Sequence, residues 1–408
     1  MGLNILFSTI PGAGHLYPNV PLATALRDAG HEIRIATSPS FADVVAGTGF
    51  EMVPVGLDWT QRNVREVLDM EDQPTHDAMM KMFWDVGPRA VYESLTQLDW
   101  PVDVIVLDPD ERGARLWGEV NGIPWVNVLN YIRGGPLFGA ALPHDVAERP
   151  EVLAKGPMAA ENAIRNDLGL GPVPLLYGES MLDRYLTLDM APAGITPWEP
   201  QLRAATAHPM RPVPHAAEVD ADWVERLDPD KDIVHVGFGS LFSYHSDAYP
   251  KVVEGLASEG VQLVISAPDG IDVGDPPDDA IVESWVPHQT LLPRCRIFIH
   301  HGGWGSTIAG LSHGVPSIVI PHGADQPNNA RVVEAFGAGL YLHLSSLAPD
   351  KVREAAHALL TEGVYPLNAE RIARNIAAMP SPAEVVPLIE RLAAEREPII
   401  NPDRTESG

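Results

Sequence analysis

One stretch in the second half of the sequence joins a strand, a glycine turn and a helix in direct succession. Residues 296–300 form the apolar run RIFIH, His301 follows it, and the turn GGWGST at 302–307 opens an amphipathic segment. Such a junction points backbone N–H groups and the positive end of a helix dipole at one place. The sequence therefore predicts an anion site, most naturally for a phosphate, to which His301 can add a hydrogen bond or a positive charge.

Apolar runs and helical periodicity alternate along both halves of the chain. The apolar runs of the first half lie at 3–9, 31–37, 52–55, 102–107, 125–129 and 185–190. A helical pattern at 18–29 separates the first two, and a second alternating set runs from 233 to 362. Repetition of strand and helix is typical of parallel, doubly wound sheets. We therefore predict an α/β protein of two Rossmann-like domains that face a central cleft.

The predicted domain boundaries follow the alternating patterns and the prolines between them. We place a first domain at residues 1–212, a second at 213–380, and a C-terminal helix and tail at 381–408 that pack back on the first domain. Six prolines between 192 and 214 favour a stiff, extended connection between the domains. Segments 58–100 and 134–190 have irregular patterns, and we expect them to face a ligand; the alternative for 58–100 is that its bulky residues are ordinary helix core.

Charge and cysteine content exclude several classes of partner and compartment. The formal net charge of −27 argues against nucleic acid or an anionic membrane as a ligand. Cys295 is the single cysteine, which fits a reducing compartment. No apolar run approaches the roughly 18–20 residues of a membrane span, and the N-terminus lacks the basic region of a signal peptide. We expect a cytoplasmic protein; the sequence leaves open a homodimer.

Other nucleotide and metal chemistries fit the sequence poorly. Neither GAGHLY at 12–17 nor GFGSLF at 237–242 has the third glycine of a dinucleotide fingerprint, and no GxxxxGK or GxSxG motif occurs. Asp108 and Asp110 resemble a paired-aspartate metal motif, but a chelate there lacks further carboxylates. His300 and His301 are neighbours in a strand and face opposite sides, so they are not expected to share one ion. We predict no metal.

A histidine and an aspartate in the first domain form a candidate acid/base pair. His15 follows the first strand, and Asp108 follows a later strand of the same predicted sheet. The carboxyl ends of parallel strands share one edge, where ligands of open α/β sheets bind. A neutral imidazole that hydrogen-bonds a carboxylate through one nitrogen is a better base through the other. An alternative is that both residues are structural.

Two separated parts of the sequence resemble a known family. Residues 14–18 read GHLYP, and WVPH, HHGGWGS, GVPSIVIP and ADQPNN follow in order between 285 and 329. These motifs resemble the inverting, nucleotide-sugar-dependent glycosyltransferases of GT-B type, which include plant and macrolide enzymes, and most of all the bacterial branch that decorates antibiotics and other natural products. The resemblance implies a GT-B fold, a nucleotide-sugar co-substrate without a further cofactor, and a small-molecule aglycone as acceptor. Domain 1–212 would bind the acceptor, with segments 58–100 and 134–190 lining its pocket, and domain 213–380 would bind the nucleotide sugar.

The resemblance also implies roles for single residues. His15 would deprotonate the acceptor, with Asp108 as its partner. Trp285 would stack on the nucleobase, although it could instead belong to the core, and the Val286 backbone would hydrogen-bond the base edge. The implied donor-binding set is Gly14, Ser240, Trp285, Val286, His301, Gly303, Trp304, Gly305, Ser306, Thr307, Asp325 and Gln326.

Within that set, the diphosphate and the sugar have separate partners. His301 and the turn from Gly303 to Thr307 would hold the diphosphate, with Ser240 nearby. Asp325 and Gln326 would contact sugar hydroxyls, or could instead cap the helix that follows them.

Departures from the plant pattern indicate the nucleotide. Plant members carry Gln where this chain has His288, Asn where it has Gly305, and a ribose-binding Glu where it has Ala309. The loss of that carboxylate favours a dTDP-linked deoxysugar over a UDP-sugar. Two alternatives stay open: a GT-B epimerase or hydrolase that uses the same diphosphate site, and a catalytically silent homologue that assists a partner transferase.

Overall fold

A computed structural model of the chain gives two parallel sheets. The residues described are 2–60, 64–68, 70, 76–130, 157–172, 183–192, 204–214, 222–239, 247–323 and 325–404.

The first sheet has seven parallel strands in the order β3-β2-β1-β4-β5-β6-β7. They are β1 Asn4–Ser8, β2 Glu32–Thr37, β3 Glu51–Pro54, β4 Val104–Leu107, β5 Trp125–Leu129, β6 Leu186–Asp189 and β7 Ala207–Pro209. The strand order reverses at β1, where β2 lies on one side and β4 on the other. A crevice forms at such a reversal, at the carboxyl ends of the strands.

The second sheet has six parallel strands in the order β10-β9-β8-β11-β12-β13. They are β8 Ile233–Gly237, β9 Gln262–Ser266, β10 Ile281–Glu283, β11 Cys295–His300, β12 Ser317–Val319 and β13 Gly339–Tyr341. Its order reverses between β8 and β11, so the turn that leaves β11 lies at the second crevice.

Helices cover both faces of each sheet. In the first half they are α1 Ala13–Leu16, α2 Val20–Asp28, α3 Ala42–Ala46, α4 Val64–Val67, α5 His76–Lys81, a π-helical turn at Met82–Val86, α6 Gly87–Leu95, α7 Gly113–Asn121 and α8 Pro157–Asp167. In the second half they are α9 Ala248–Leu256, α10 His288–Leu291, α11 Trp304–Ser312, α12 Gln326–Ala335, α13 Pro349–Thr361, α14 Val364–Ala377 and α15 Pro382–Glu395. Helix α15 packs against α2 and the first sheet.

Alternate residues of the central strands enter two apolar layers. Along β1, Ile5 and Phe7 belong to the cluster that includes residues of α2 and α15, whereas Leu6 packs with residues of α6 and α7. Burial on both faces explains the near-continuous apolar runs of the sequence, because neither face of a covered parallel sheet meets water.

The predicted fold class is confirmed, with one local difference. The proline-rich connection contains β7, which pairs with β6 and extends the first sheet. Strand β10 ends at Glu283, two residues before Trp285. The domain boundaries stay a prediction. Among the described residues, no helix combines the length and apolar character needed to cross a membrane.

Candidate active site

The predicted acid/base pair meets at the carboxyl edge of the first sheet. His15 lies in the single-turn helix α1 after β1, and Asp108 directly follows β4. Nδ1 of His15 is 2.9 Å from Oδ2 of Asp108, and the aspartate side chain is fully buried while that of the histidine is 26% exposed. Because a carboxylate only accepts hydrogen bonds, Nδ1 carries the proton and Nε2 is the nitrogen left for a substrate.

The charge state of His15 differs from the neutral imidazole that the sequence predicted. Burial lowers the pKa of His15, but the charge of Asp108 and its hydrogen bond, aided by Asp110 and Asp325, raise it to about 9. At neutral pH the resting side chain is therefore an imidazolium. It has to lose a proton before it can act as a base.

The Asp108 carboxylate is held from three directions. Its Oδ1 accepts a hydrogen bond of 2.9 Å from the backbone N–H of Asp110. Its Oδ2 accepts from His15 and also from Nδ2 of Asn130, at 3.2 Å. Asn130 follows β5, and the same amide nitrogen donates to the carbonyl of Gly14 at 3.2 Å. Three neighbouring strand ends thus meet at one carboxylate.

His15, Asp108 and Asp110 each place one potential metal-ligand atom within 4.8 Å of the others. Both oxygens of Asp108 already accept hydrogen bonds, and burial together with Asp108 raises the pKa of Asp110. A hydrogen-bonded carboxylate beside an imidazolium is a poor start for a cation site. The prediction that no metal binds stays a prediction.

The predicted anion site forms a helix N-terminus at the crevice of the second sheet. Gly303 is the N-cap residue of α11, and no side chain caps it. The first amides of a helix have no intrahelical partner, so those of Trp304, Gly305 and Ser306 are available to an anion. Gly302 has φ of +88°, and a Cβ there would lie 2.8 Å from Val319, so glycine is required at this bend.

The side chains of this turn divide between core and cleft. Trp304 packs into the apolar core with Ile308 and Leu311, at the spacing of one helix face, and Thr307 is also buried. Gly305 is exposed and Ser306 half-buried. Trp304 and Thr307 therefore belong to the site through their backbone, and Ser306 is the residue of the turn whose side chain can reach a ligand.

His301 stands beside the anion site as a neutral ring. A Cβ at Gly239 would lie 2.7 Å from Cε1 of His301, and one at Gly303 would lie 2.5 Å from its Nε2. Both glycines thus allow the backbone to approach the imidazole closely. Burial, together with His322, lowers the pKa of His301 to about 3. Of the two contributions that the sequence left open for His301, the lowered pKa favours a hydrogen bond from a neutral ring over a positive charge.

One nitrogen of this ring has a hydrogen-bonding capacity that the fold does not use. Nδ1 of His301 is buried and has no hydrogen-bond partner among the residues that the structure describes. A buried polar atom without a partner costs free energy, and a ligand that supplies one recovers it.

The two residues assigned to the nucleobase differ in exposure. Trp285 is 50% exposed, which excludes the alternative that it is an ordinary core residue, while Val286 is buried against Trp223 and Ile233. An exposed indole beside a buried backbone segment is suited to stack on a flat ring. The stacking role itself stays a prediction.

Asp325 lies at the N-cap position of α12, but its side chain makes no capping hydrogen bond. Instead its Oδ2 accepts from Nδ2 of Asn329 at 2.9 Å, and the same nitrogen donates to the carbonyl of Gly302 at 2.8 Å. Asn329 therefore joins the presumed sugar side of the cleft to the glycine turn. Oε1 of Gln326 accepts from the backbone N–H groups of His322 and Gly323, so the buried Gln326 also shapes this loop.

Two positions need separate comment. Ser240 lies outside the described residues. Ala309 is fully buried among Leu292, Phe298 and Val315, so a carboxylate there would enter an apolar cluster unless these neighbours moved.

A small pocket of about 20 Å³ lies beside Asp110 and can form only part of an acceptor site. It shares Asp110 with the His15 cluster and combines aromatic and aliphatic walls with a few polar groups. Its lining is Thr9, Ile10, Pro11, Ser38, Val55, Trp59, Met82, Phe83, Gly87, Pro88, Val91, Asp110, Glu111 and Arg112. Several of these residues come from segment 58–100, which the sequence analysis assigned to the acceptor pocket.

Sequence reasoning missed the two asparagines that hold the site together. Asn130 follows β5 as Asp108 follows β4, and these strands are neighbours. Their common position at a strand end was a usable signal. Asn329 is one helical turn after Asp325, which places both on one face. No sequence signal pointed from Asn329 to Gly302, because that contact joins residues 27 positions apart.

One family model matches part of the chain. Residues 252–392 match the model described as the erythromycin biosynthesis protein CIII-like C-terminal domain. This range contains the glycine turn, α11 and α12.

Similar proteins extend over the rest of the chain. The chain is 28% identical to 3-alpha-mycarosylerythronolide B desosaminyl transferase of Saccharopolyspora erythraea, over 97% of this chain and 100% of that one. The solved spinosyn forosaminyltransferase SpnP is 26% identical with a TM-score of 0.76, over 97% and 100% of the two chains. The glycosyltransferase SsfS6 of Streptomyces sp. SF2575, complexed with thymidine diphosphate, is 23% identical with a TM-score of 0.74, over 95% and 99%, and shows the same fold.

Proposed function

We propose that the chain is a glycosyltransferase of GT-B fold from the natural-product branch, and that it moves a deoxysugar from a dTDP-linked donor to a small-molecule aglycone. The anomeric centre is inverted in the transfer, His15 is the base, and Asp108 orients it. The observation that carries the proposal is the 2.9 Å contact between Nδ1 of His15 and Asp108 at the carboxyl edge of the first sheet.

The acceptor half of the reaction follows from this contact. With Nδ1 bound to Asp108, Nε2 of His15 faces the cleft and takes the proton of the acceptor as its nucleophilic atom attacks the anomeric carbon. The resulting imidazolium is stabilised by Asp108, as the raised pKa indicates. Attack from the face opposite the leaving diphosphate inverts the anomeric configuration.

In this proposal, the donor half of the site stabilises the leaving diphosphate without a metal. As the bond to the diphosphate breaks, negative charge grows on its oxygens. The free amides at the start of α11 and the neutral ring of His301 are oriented toward that charge in advance. Trp285 stacks on the base, and Asp325 contacts the sugar.

Two observations support thymidine as the nucleoside. The solved relative SsfS6 was complexed with thymidine diphosphate. At Ala309 this chain lacks the carboxylate that binds the ribose of UDP in the plant enzymes, and the apolar surroundings of that position give no replacement. Binding constants for thymidine and uridine diphosphates, measured by calorimetry, test this part. Tighter binding of the uridine nucleotide would contradict it.

A hydrolase is the second candidate, because the structure adds carboxylates to the site. Both Asp110 and Asp325 are close enough to raise the pKa of His15. A carboxylate near the donor can activate water instead of an acceptor. Incubation with a dTDP-deoxysugar alone distinguishes the two reactions, since a hydrolase releases free sugar without an aglycone and a transferase requires one.

The base assignment is tested with His15→Ala. Transfer from a dTDP-deoxysugar to a panel of macrolide and aromatic polyketide aglycones should fall by about a thousandfold. Binding of thymidine diphosphate should change by less than about threefold, because all of its proposed contacts except Gly14 lie in the other domain. His357→Ala is the matched control: His357 also pairs with a carboxylate, Glu259 at 3.4 Å, but its side chain is 67% exposed. Unchanged turnover in His15→Ala would refute the proposed base.

A further inference from the structure

Asn130 connects the two segments that carry the catalytic pair. It is 6% exposed, and its side-chain nitrogen donates to Oδ2 of Asp108 and to the carbonyl of Gly14, each at 3.2 Å. A carboxylate and a carbonyl both require a donor, so only the NH₂ end of the amide can serve them together. The orientation of Asn130 is therefore fixed by its partners.

On the basis of the proposed function, we propose that Asn130 is a positioning residue for the transfer reaction: it holds the Asp108 carboxylate and the turn that carries His15 in one fixed arrangement. The proposal rests on Oδ2 of Asp108, which His15 and Asn130 share. Oδ1 of the same carboxylate accepts from the Asp110 backbone, which fixes the plane of the group.

The turn that carries His15 is the N-terminal end of a longer helical segment. Helix α1 continues through a 3-10 turn at Tyr17–Asn19 into α2, and its N-cap residue, Gly12, offers no side-chain cap. Such helix ends fray more readily than the middle of a helix. Asn19, one turn further along, bonds the carbonyl of His15 at 2.8 Å, whereas Asn130 bonds the carbonyl of Gly14 from another strand end. Of these two bonds, the one from Asn130 is tertiary and ties the start of the turn to the sheet.

Asn130 also affects how firmly His15 holds its proton. The charged groups that face His15 are Asp108, Asp110 and Asp325, all of which raise its pKa against the effect of burial. The hydrogen bond from Asn130 stabilises the charge on Oδ2 of Asp108 and competes with His15 for that oxygen. Without this bond, more of the charge of Asp108 acts on His15, and its imidazolium becomes harder to deprotonate.

Two uncharged substitutions test the proposal. Asn130→Leu removes the amide and keeps a side chain of similar size, and Asn130→Ala removes it without adding bulk. Both should raise the pKa of His15 by about one unit above its wild-type value, which makes kcat at neutral pH about tenfold lower. The KM for the dTDP-deoxysugar should stay within about twofold. The matched control is Asn121→Leu, because the Asn121 side chain, within the part of the chain that the structure describes, bonds the Trp117 carbonyl at the exposed end of α7.

The pKa is measured on the histidine ring itself by NMR titration of histidine-labelled protein, with the His15 signal identified by its absence in His15→Gln. Unshifted titration in the Asn130 variants would overturn the proposal, as would a fall in kcat that is equal at every pH, since general loss of packing produces that pattern. If Asn130→Leu does not fold, Asn130→Ala gives the same readout. Failure of the base assignment is distinct, because it appears as full turnover in His15→Gln.

Discussion

The two halves of the molecule shift the pKa values of their histidines in opposite directions. In the first half, Asp108 and its neighbours raise the pKa of His15 to about 9 although burial opposes this. In the second half, burial lowers the pKa of His235 to about 4 and those of His288 and His301 to about 3. In the described part of the chain, these three rings contact aromatic residues, backbone and other histidines. Neighbouring charge, rather than burial, decides which histidine holds a proton.

This contrast matches the two tasks that we propose for the halves. A base for the acceptor needs a carboxylate that stabilises the proton after it is taken up. A group that faces a diphosphate needs a hydrogen-bonding nitrogen held in place, and the amides of α11 already supply positive potential. The donor half can therefore bind an anion in a protein whose net charge is −27.

Removal of the Asp108 carboxylate should have the largest effect on activity. It should also abolish the difference in pKa between His15 and the histidines of the second half. In Asp108→Asn, burial lowers the pKa of His15 with less opposition, so the pKa should fall well below 9. The amide no longer stabilises the imidazolium or fixes its tautomer, and kcat should drop by roughly a thousandfold. The measurements are turnover at saturating donor and NMR titration. Asp103→Asn, at the opposite end of β4, is the control, because Asp103 accepts only from the Asn4 backbone. A kcat within tenfold of wild type would contradict the prediction.

The activity of the wild-type protein should rise with pH. Since His15 must be unprotonated to act, and its pKa is raised to about 9, kcat/KM should increase about tenfold per pH unit from pH 7 and level off near pH 9. The total change over this interval is about a hundredfold. A pH–rate profile with constant ionic strength checks it. A profile that is flat between pH 7 and 9 would show that no group with this pKa acts as base.

The donor half should depend on stacking more than on charge. Trp285→Ala removes the half-exposed indole and should weaken binding of thymidine diphosphate by roughly 1–3 kcal/mol, or about 5- to 150-fold in Kd. Calorimetry measures this directly. The control is Trp100→Ala, since Trp100 is a partly exposed tryptophan of the first half that packs under Arg34. Equal binding by Trp285→Ala and wild type would remove Trp285 from the site.

Acid should destabilise the second half through its neutral histidines. A folded-state pKa near 3, as for His288, lies below the unfolded value of 6.5, so the unfolded chain binds the proton first as the pH falls. Each such histidine therefore lowers the free energy of unfolding by about 1.4 kcal/mol per pH unit below 6.5. His15 has the opposite sign: its contribution is present below pH 6.5 and is lost as the pH rises toward 9.

This acid destabilisation is the smallest of the expected effects. It is measured by urea unfolding at pH 7, 6 and 5. Replacement of His288 by Gln should remove the share of one histidine from the pH dependence of the free energy of unfolding. The unfolding equilibrium constant should then change about tenfold less per pH unit. His357→Gln should leave the slope unchanged, because that side chain is exposed. The opposite ranking of the two variants would contradict the prediction.

Much of this architecture could be predicted from local sequence. Doubly buried strands such as β1 and β11 are apolar throughout, and glycine at 302 is required by a backbone bend, so both leave a clear pattern. His15 and Asp108 could be placed at one sheet edge because parallel strands end together. The contact of Trp304 with the core also follows helical spacing, although the family motif had suggested a ligand contact.

The sequence by itself determined the two alternating α/β halves, the glycine turn before α11, and the candidate base with its carboxylate. Only the tertiary structure decided the charge of each histidine, the burial of Ala309 and the hydrogen bonds of Asn130. The physical reason is the distance along the chain over which each kind of interaction acts. Strand, turn and helix patterns depend on neighbours a few positions away, whereas a pKa depends on charges that the fold brings together, such as Asp108, 93 positions from His15.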